Sequence, residues 1–500
     1  MSVKSTLIKI IARYITQKNN LWAMHPTDVQ HKIFKKLINK AKYTQYGKAH
    51  NFSSINTYEE FKKYVPISDY EDIKPYIDQI LSGAKDILWP GKPLYFAKTS
   101  GTTSGTKYIP ISKDSIGYHI ASARDALFAY VAETGNADFF DGKLIFLSGS
   151  PEIEKKQGIF IGRLSGIVNH HVPGWIRANQ MPKWSTNCIE DWETKVETIV
   201  DETLTQNMTL ISGIPPWVQM YFDKITIKTG KKICDVFPNF KLFVYGGVNF
   251  EPYRAKLSDS IGKKIDAIET YPASEGFIAY QNAQNDSSML LLLNSGMFYE
   301  FIPAAEYHSP TRTRISIKDV KIGVNYALII NSNAGLWGYS IGDTIKFVSL
   351  YPHKIVVTGR IKHFISAFGE HVIAEEVEKA MNDACTQSPE TEIVEFTVAP
   401  QVAPIGGELP HHEWLIAFDK IPNDLEKFAI NLDEALQKYN SYYYDLITGH
   451  VLQRLKIIPL PGNAFIEYMK SKGKLGGQNK VPRLTNDRIM ADELVKVTKI

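Results

Sequence analysis

Cysteine is scarce. Cys188, Cys234 and Cys385 are the only three in 500 residues, they lie far apart, and no CxxC spacing occurs. That excludes a disulfide framework and a cysteine zinc site, and it fits the reducing cytoplasm. Long apolar runs are missing too. Nowhere do about 18 apolar residues follow one another, so no integral membrane association is expected. Leu7, Ile8, Ile10, Ile11, Tyr14 and Ile15 make an apolar pattern near the start, but Lys4, Lys9 and Arg13 interrupt it and no small-residue cleavage site follows. It reads as an amphipathic surface helix rather than a leader. An excess of one charge is absent as well: 57 Lys+Arg stand against 53 Asp+Glu, a formal +4, so no nucleic-acid partner is expected. There is no internal repeat and no low-complexity linker, so any hinge must be short. With 44% hydrophobic and 22% charged residues the chain is an ordinary globular one, long enough for roughly two to four domains.

What is present changes in texture along the chain. Residues 1 to about 88 read as helices, with apolar side chains at helical spacing over Asp28–Ala41 and a capping-box pattern opening at Thr57. From Leu94, short apolar strands (Lys143–Leu147, Met208–Ile211, Lys241–Tyr245, Lys264–Thr270) alternate with helical patterns (Ser115–Glu133, Asp191–Gln206). That alternation predicts an α/β domain with a largely parallel sheet. Residues 289–358 switch to closely spaced strands, including Met297–Phe301, Arg312–Ile317 and Asn325–Asn331, and read as a β-rich subdomain. Beyond Gly359-Arg360, a helix at Ala374–Asn382, strands at Ile393–Ala399 and His412–Phe418, and a helix at Asp424–Tyr439 predict a small α+β domain. The expected division is a large N-terminal domain, 1–358, and a small mobile C-terminal domain, 359–500, joined at a hinge over 359–362.

Five stretches carry chemistry. The run Ser100-Gly101-Thr102-Thr103-Ser104-Gly105, with Lys107 beyond it, has glycines that let backbone N–H groups approach phosphate oxygens, hydroxyl donors, and a lysine point charge. It is not a Walker loop, because Thr106 separates the glycine from the lysine. Gly246-Gly247 ends one apolar strand, and Thr270-Tyr271-Pro272-Ala273-Ser274-Glu275 ends the next. Ligands bind at the carboxyl ends of parallel strands. A base would slide against the glycines and stack on Tyr271, with Thr270 and Ser274 beside it and Glu275 holding Mg²⁺. Tyr339-Ser340-Ile341-Gly342-Asp343, between strand-like segments, offers a carboxylate to ribose hydroxyls. Gly359-Arg360 stands at the domain junction, where arginine would bridge ribose or phosphate. Last, residues 473–483 are glycine-rich and basic, and would carry a lysine into a site and withdraw it. The acyl pocket is sought among Tyr118, Arg124, Phe128 and Trp217, which are also plausible core residues. The adjacent pairs His170-His171 and His411-His412 read as structural or exposed histidines, and no zinc is expected.

In this order and spacing the pieces resemble the adenylate-forming superfamily of acyl-CoA synthetases, luciferases and peptide-synthetase adenylation domains. More closely they resemble the auxin-responsive promoter, or Gretchen Hagen, family of acyl-acid amido synthetases, over nearly the whole chain. The hydroxyl loop with Lys107, the Tyr271/Ala273/Ser274/Glu275 motif, Tyr339/Gly342/Asp343, and Gln478 with Lys480-Val481-Pro482-Arg483 carry the resemblance. Ser340 stands where that family has arginine. The resemblance implies an enzyme that uses ATP and Mg²⁺ to adenylate a carboxylic acid and then passes the acyl group to an amine such as an amino acid. It nominates Lys480 as the mobile catalytic lysine, with Lys474 as the alternative, and Lys107 and Glu275 as its partners in charge stabilisation. An acid:CoA ligase or a nucleotide-binding regulator remain the alternatives.

Overall fold

From Tyr95 onward short apolar strands build the scaffold. The computed structural model describes the chain except residues 1–2, 101–105, 248–249, 362–363, 366, 369, 371, 403, 405–407, 449–450, 474–480, 486 and 499–500. The first strands are β1 (Tyr95–Ser100), β2 (Thr106–Ile111), β3 (Lys143–Phe146), β4 (Glu154–Lys156), β5 (Ile159–Gly162) and β6 (Gln180–Met181). They are followed by β7 (Met208–Ser212), β8 (Leu242–Gly246), β9 (Asp266–Ala273), β10 (Gly276–Gln281), β11 (Met289–Leu291) and β12 (Met297–Pro303). β13 (Ile315–Ser316), β14 (Asn325–Ser332), β15 (Tyr339–Leu350) and β16 (His353–Arg360) complete this set.

Twelve of these strands form one sheet in the order β13-β12-β14-β15-β16-β11-β10-β9-β8-β7-β3-β6. Its β6-to-β9 end is parallel, as the strand–helix alternation predicts. The rest pairs antiparallel from β9 to β16, and again across β12–β14 and β12–β13. The β-rich stretch is therefore not a layer apart: β11 joins it to the parallel half, pairing with β10 on one side and β16 on the other. All three β11 residues are buried. A second sheet has the order β2-β1-β5-β4. The expected strand Arg312–Ile317 pairs only at Ile315–Ser316.

The helical lead-in packs on the antiparallel part. The helix Pro26–Ala41 turns Phe34, Leu37 and Ile38 into a core shared with Phe298, Tyr299 and Trp337. The helix Tyr58–Tyr64 opens with the full capping box: Thr57 accepts from the Glu60 amide at 3.2 Å and Glu60 from the Thr57 amide at 3.0 Å. The first helix, Val3–Ala23, buries Ile8 and Ala12 in a cluster with Ala126, Phe128 and Ala129, while Leu7, Ile10 and Tyr14 stay exposed. Among the described residues no helix is long and apolar enough to cross a membrane.

Contacts divide the chain into two compact units: Met1–Val248, Ser260–Ile341 and Ile345–Val357 in one; Asn249–Asp259, Gly342–Thr344 and Thr358–Ile500 in the other. Contiguous domains 1–358 and 359–500 would leave 249–259 and 342–344 in the first unit. They group with the second because Tyr253 bonds Glu395, Lys256 pairs with Asp419, and the Ile361 amide donates to the Gly342 carbonyl. The second unit has a short hairpin, β17 (Phe364–Ile365) and β18 (Val372–Ile373), and a sheet of β19 (Glu392–Gln401), β20 (His411–Lys420) and β21 (Lys456–Leu460). Helices Ala374–Gln387 and Leu425–Tyr439 share a core with Phe396, Val398, Trp414 and Ile416 of that sheet. Glu370, between β17 and β18, meets His412 of β20 at 2.8 Å with both side chains fully buried. His412 is thus a structural histidine.

In the larger unit the Glu300 carboxylate is fully buried and receives Arg314 through two bonds of 2.5 and 2.9 Å, the Tyr58 hydroxyl at 2.9 Å and the Asn331 amide at 2.7 Å. Burial and the Glu300 charge push the Tyr58 hydroxyl far above its ordinary pKa. A buried carboxylate left without its cation is costly. Arg314→Met should therefore lower stability by about 3–5 kcal/mol in urea unfolding, and a loss below about 1 kcal/mol would mean that the network contributes little.

Candidate functional site

At the carboxyl edge of the parallel strands, β8 and β9 approach each other closely. Gly246 pairs with Thr270, and a Cβ at Gly246 would lie 2.2 Å from the Thr270 carbonyl oxygen. Only glycine fits there, and the Thr270 hydroxyl closes the approach by donating to the Tyr245 carbonyl at 2.9 Å. Gly247 then takes φ +86, the left-handed region in which a side chain is strained. β9 runs three residues past Thr270 and returns as β10, so Ser274 and Glu275 form the tip of a hairpin closed by the Ala273–Gly276 pair. Ser274 is buried and Glu275 half-buried. Tyr271 is 8% exposed and packs in the core, rather than standing open for a base to stack on.

The hydroxyl- and glycine-rich run connects two antiparallel strands. β1 pairs with β2 from Tyr95–Ile111 to Ser100–Thr106, so residues 101–105 are the hairpin connection, and they lie outside the described residues. Lys107 opposes Thr99 in the ladder and its ammonium lies 5.4 Å from the centre of the Tyr70 ring. The Tyr70 hydroxyl accepts from the Tyr108 amide at 2.9 Å, tying the base of this hairpin to the helix Tyr70–Leu81.

Tyr339, Ser340 and Asp343 sit within β15 rather than in a turn between strands. Tyr339 is buried, and so is Ser340, whose hydroxyl has no partner among the described residues. Gly342 has φ +82 and lets the strand kink. In the second unit Arg360 donates through Nε to Asp343 Oδ1 at 2.7 Å; Asp343 is 14% exposed and Arg360 53%. Two residues far apart in sequence thus form one pair. Gly359-Arg360 ends β16 instead of lying in a connecting loop. Gly359, with φ +148, is packed so that a Cβ would meet Ala374 Cβ at 3.2 Å.

Lys474 and Lys480 lie outside the described residues. The chain just beyond Lys480 is firmly held. Arg483 is buried and donates to Glu378 at 3.1 Å, to Glu395, to the Tyr253 hydroxyl at 3.0 Å and to the Phe396 carbonyl at 3.2 Å. The carboxylates outweigh its desolvation and hold its charge. Val398 donates to the Arg483 carbonyl at 2.9 Å and Thr397 to the Pro482 carbonyl at 2.7 Å.

Of the residues sought for the acyl pocket, Arg124 lies over the Phe128 ring at 5.9 Å, while Tyr118 and Trp217 have other surroundings. Phe128 and Trp217 are core residues, Trp217 against Trp192 at 4.6 Å between ring centres. Arg124 is exposed and paired with Asp125 at 2.6 Å, while Tyr118 borders a small cavity with Trp89, Asp114, Gly296 and Asn333. Helical periodicity places such residues on faces but cannot tell a pocket wall from a core. Lys195 is a residue that periodicity could have singled out and that the motifs pass over. It stands on the apolar stripe Trp192, Val196, Ile199, Val200 of the helix Trp192–Thr203 and is 2% exposed.

Among the described residues no group of three acidic, histidine or cysteine ligands could hold a metal ion. One carboxylate such as Glu275 suits Mg²⁺ that keeps most of its ligands as water and phosphate.

Family models match almost all of the chain. Residues 17–187 and 152–265 match the GH3 family N-terminal domain, 290–360 the GH3 family central domain, and 375–489 the GH3 family C-terminal domain. Indole-3-acetic acid-amido synthetase GH3.3 of Arabidopsis thaliana is 20% identical over 537 residues, covering 91% of this chain and 89% of that protein. Jasmonoyl--L-amino acid synthetase JAR4 of Nicotiana attenuata is 23% identical over 387 residues, 64% of this chain and 66% of its own. The solved structure of GH3.15 acyl acid amido synthetase has the same fold, with a TM-score of 0.78 at 16% identity over 95% of this chain and 94% of that one.

Gly246→Ala tests the close approach of β8 and β9. Forcing a methyl against backbone should cost about 1–3 kcal/mol, read as a lower urea midpoint, and a variant as stable as wild type would contradict the contact.

Proposed function

This chain belongs to the GH3 family, and from that membership we propose that it is an ATP-dependent acyl-acid amido synthetase. It adenylates a carboxylic acid and passes the acyl group to an amine, an amino acid being the acceptor. The observation that carries the reading is the match of all three family domains in order, together with a β8–β9 edge built around Gly246 and Thr270.

A carboxylate is a poor electrophile. In the first half-reaction its oxygen attacks the α-phosphate of ATP; the new O–P bond forms as the bond to pyrophosphate breaks. In the second, the amine attacks the acyl carbon of the mixed anhydride, AMP leaves, and the amine gives up its proton. The protein's part is to place charge where charge develops. Ser100 to Gly105 and Lys107 hold the β- and γ-phosphates. Gly246, Gly247, Thr270, Tyr271 and Ser274 hold the base and its surroundings, and Tyr339 backs them from β15. Asp343 accepts the ribose hydroxyls, and Arg360, which bonds Asp343 at 2.7 Å, orients it. Glu275 would hold Mg²⁺ beside the phosphates, and the ion would supply neutralising charge there. Lys480 stabilises the oxygens of the α-phosphate, with Lys474 the alternative. The chain pivots at 359–362 between the half-reactions. The reaction takes place in the cytoplasm.

Arg483 supports Lys480 over Lys474. A mobile lysine works only if its segment returns to one register, and Arg483, three positions on, is held by two carboxylates, a hydroxyl and a carbonyl.

Pyrophosphate release from MgATP, screened over aryl, alkyl and indolic acids with each amino acid and with CoA, tests the reading. Acid-dependent release that is faster with an amino acid and yields an amide by mass spectrometry is expected. A thioester formed only with CoA, or no release with any acid, would overturn it. Lys480→Ala should slow adenylation by about 10²–10³-fold while ATP still binds. Lys474→Ala should leave the rate within about threefold; the reverse pattern would transfer the role. Asp343→Ala should weaken ATP binding by about tenfold in a direct titration, and unchanged affinity would remove Asp343 from the ribose site.

A further inference from the structure

Lys195 and Arg163 lie close together in the larger unit, and neither has a carboxylate partner among the described residues. Lys195, buried on the helix Trp192–Thr203, spends two of its protons on the carbonyls of Ser148, at 2.9 Å, and Asn187, at 2.6 Å. Arg163 is exposed and lies along Gly149: a Cβ at that glycine would come within 2.8 Å of Arg163 Cδ and 2.9 Å of Nη1. The glycine is what lets the arginine lie flat across the end of β3. The two cations feel each other. Burial, with the charge of Arg163, brings the Lys195 ammonium from 10.5 down to about 8. Elsewhere the buried cations are matched, Arg314 by Glu300 and Arg483 by Glu378 and Glu395.

The position of this pair matters as much as its charge. Arg163 directly follows β5, which runs parallel to β1 with Gly162 beside Ala97. Ser148 and Gly149 follow β3, two strands from β8 in the large sheet, or about 10 Å along the hydrogen-bonding direction. The segments that follow β5 of one sheet and β3 of the other therefore meet at Arg163, and ligands of α/β proteins bind beyond the carboxyl ends of strands. A single exposed guanidinium fork matches a carboxylate with two parallel bonds, and the buried lysine behind it adds field without needing contact.

We propose that Arg163, backed by Lys195, is the binding site for the carboxylate of the acceptor amino acid. The inference rests on the amido synthetase reading and deepens it. It gives the enzyme a reason to prefer an amino acid to a plain amine, since only the former fills the anion site while presenting its amino group.

The test compares amino acids with their α-amides, which keep the nucleophile and remove the carboxylate. For the full-length wild-type protein, kcat/KM for amide formation should favour the amino acid by about tenfold or more, the size of charge-assisted bonds to one group. Arg163→Met should raise KM for the amino acid by about tenfold, bring it within about threefold of its amide, and leave KM for ATP and for the acid unchanged. Arg163→Lys, which keeps the charge but not the fork, should fall between. A rise in KM for ATP would make the anion a phosphate and overturn the proposal, as would a rise for the acid alone or discrimination retained in Arg163→Met. Saturation-transfer NMR with the amino acids and their amides needs no turnover. Carboxylate-dependent binding lost in Arg163→Met, in a protein that releases no pyrophosphate, would keep this site and reject the enzymatic reading; no such binding in wild type would reject the site.

Discussion

The three buried residues of β11 hold the larger unit together. Met289 and Leu290 bond β10 on one side and β16 on the other, so a parallel α/β half and an antiparallel half become one sheet. Close by, Lys354 of β16 meets Asp286, just before β11, at 2.7 Å. A sheet transmits position well because each strand is fixed by its ladder on both sides. The consequence is that the carboxyl ends of β3, β7, β8 and β9 stand in a set order.

Glycine does specific work at two points of that frame. Gly246 permits a backbone approach that any Cβ would block, which brings the ends of β8 and β9 together. Gly149 lets Arg163 lie across the end of β3. In each case what matters is a missing side chain, and the residue that exploits the space comes from the next strand, β9, at Gly246 and from the segment after β5 at Gly149.

Charge follows a simple division. Where cations are buried for structure they are matched, as in the Glu300–Arg314 network and the cage around Arg483. Asp343 and Arg360, on neighbouring strands β15 and β16, pair directly, which is consistent with acting as one unit on a ribose. Lys195 is the exception: it is buried on carbonyls with no carboxylate, and burial with the charge of nearby Arg163 lowers its pKa.

Much of this was legible in one dimension. Strand and helix periods, the capping box at Thr57, the parallel order of the central strands and the motifs of an adenylate-forming family all depend on local pattern, and local pattern is written in the sequence. The mergers were not legible. Whether 289–358 forms a subdomain or extends a sheet depends on which edge hydrogen-bonds to β11, and edges carry no signature in composition. Phe128 and Trp217 are apolar at helical spacing whether they wall a pocket or fill a core. Asp343 looks like a turn residue because glycine precedes it, yet β16 pairs alongside and makes it part of a strand. The sequence by itself determined the class of fold, the family and the chemical types at the candidate site, because these are set by residue identity and spacing. Only the tertiary structure decided that Arg360 meets Asp343, that Arg483 is caged, and that Arg163 and Lys195 share an end of the sheet, because charge acts through space and not along the chain.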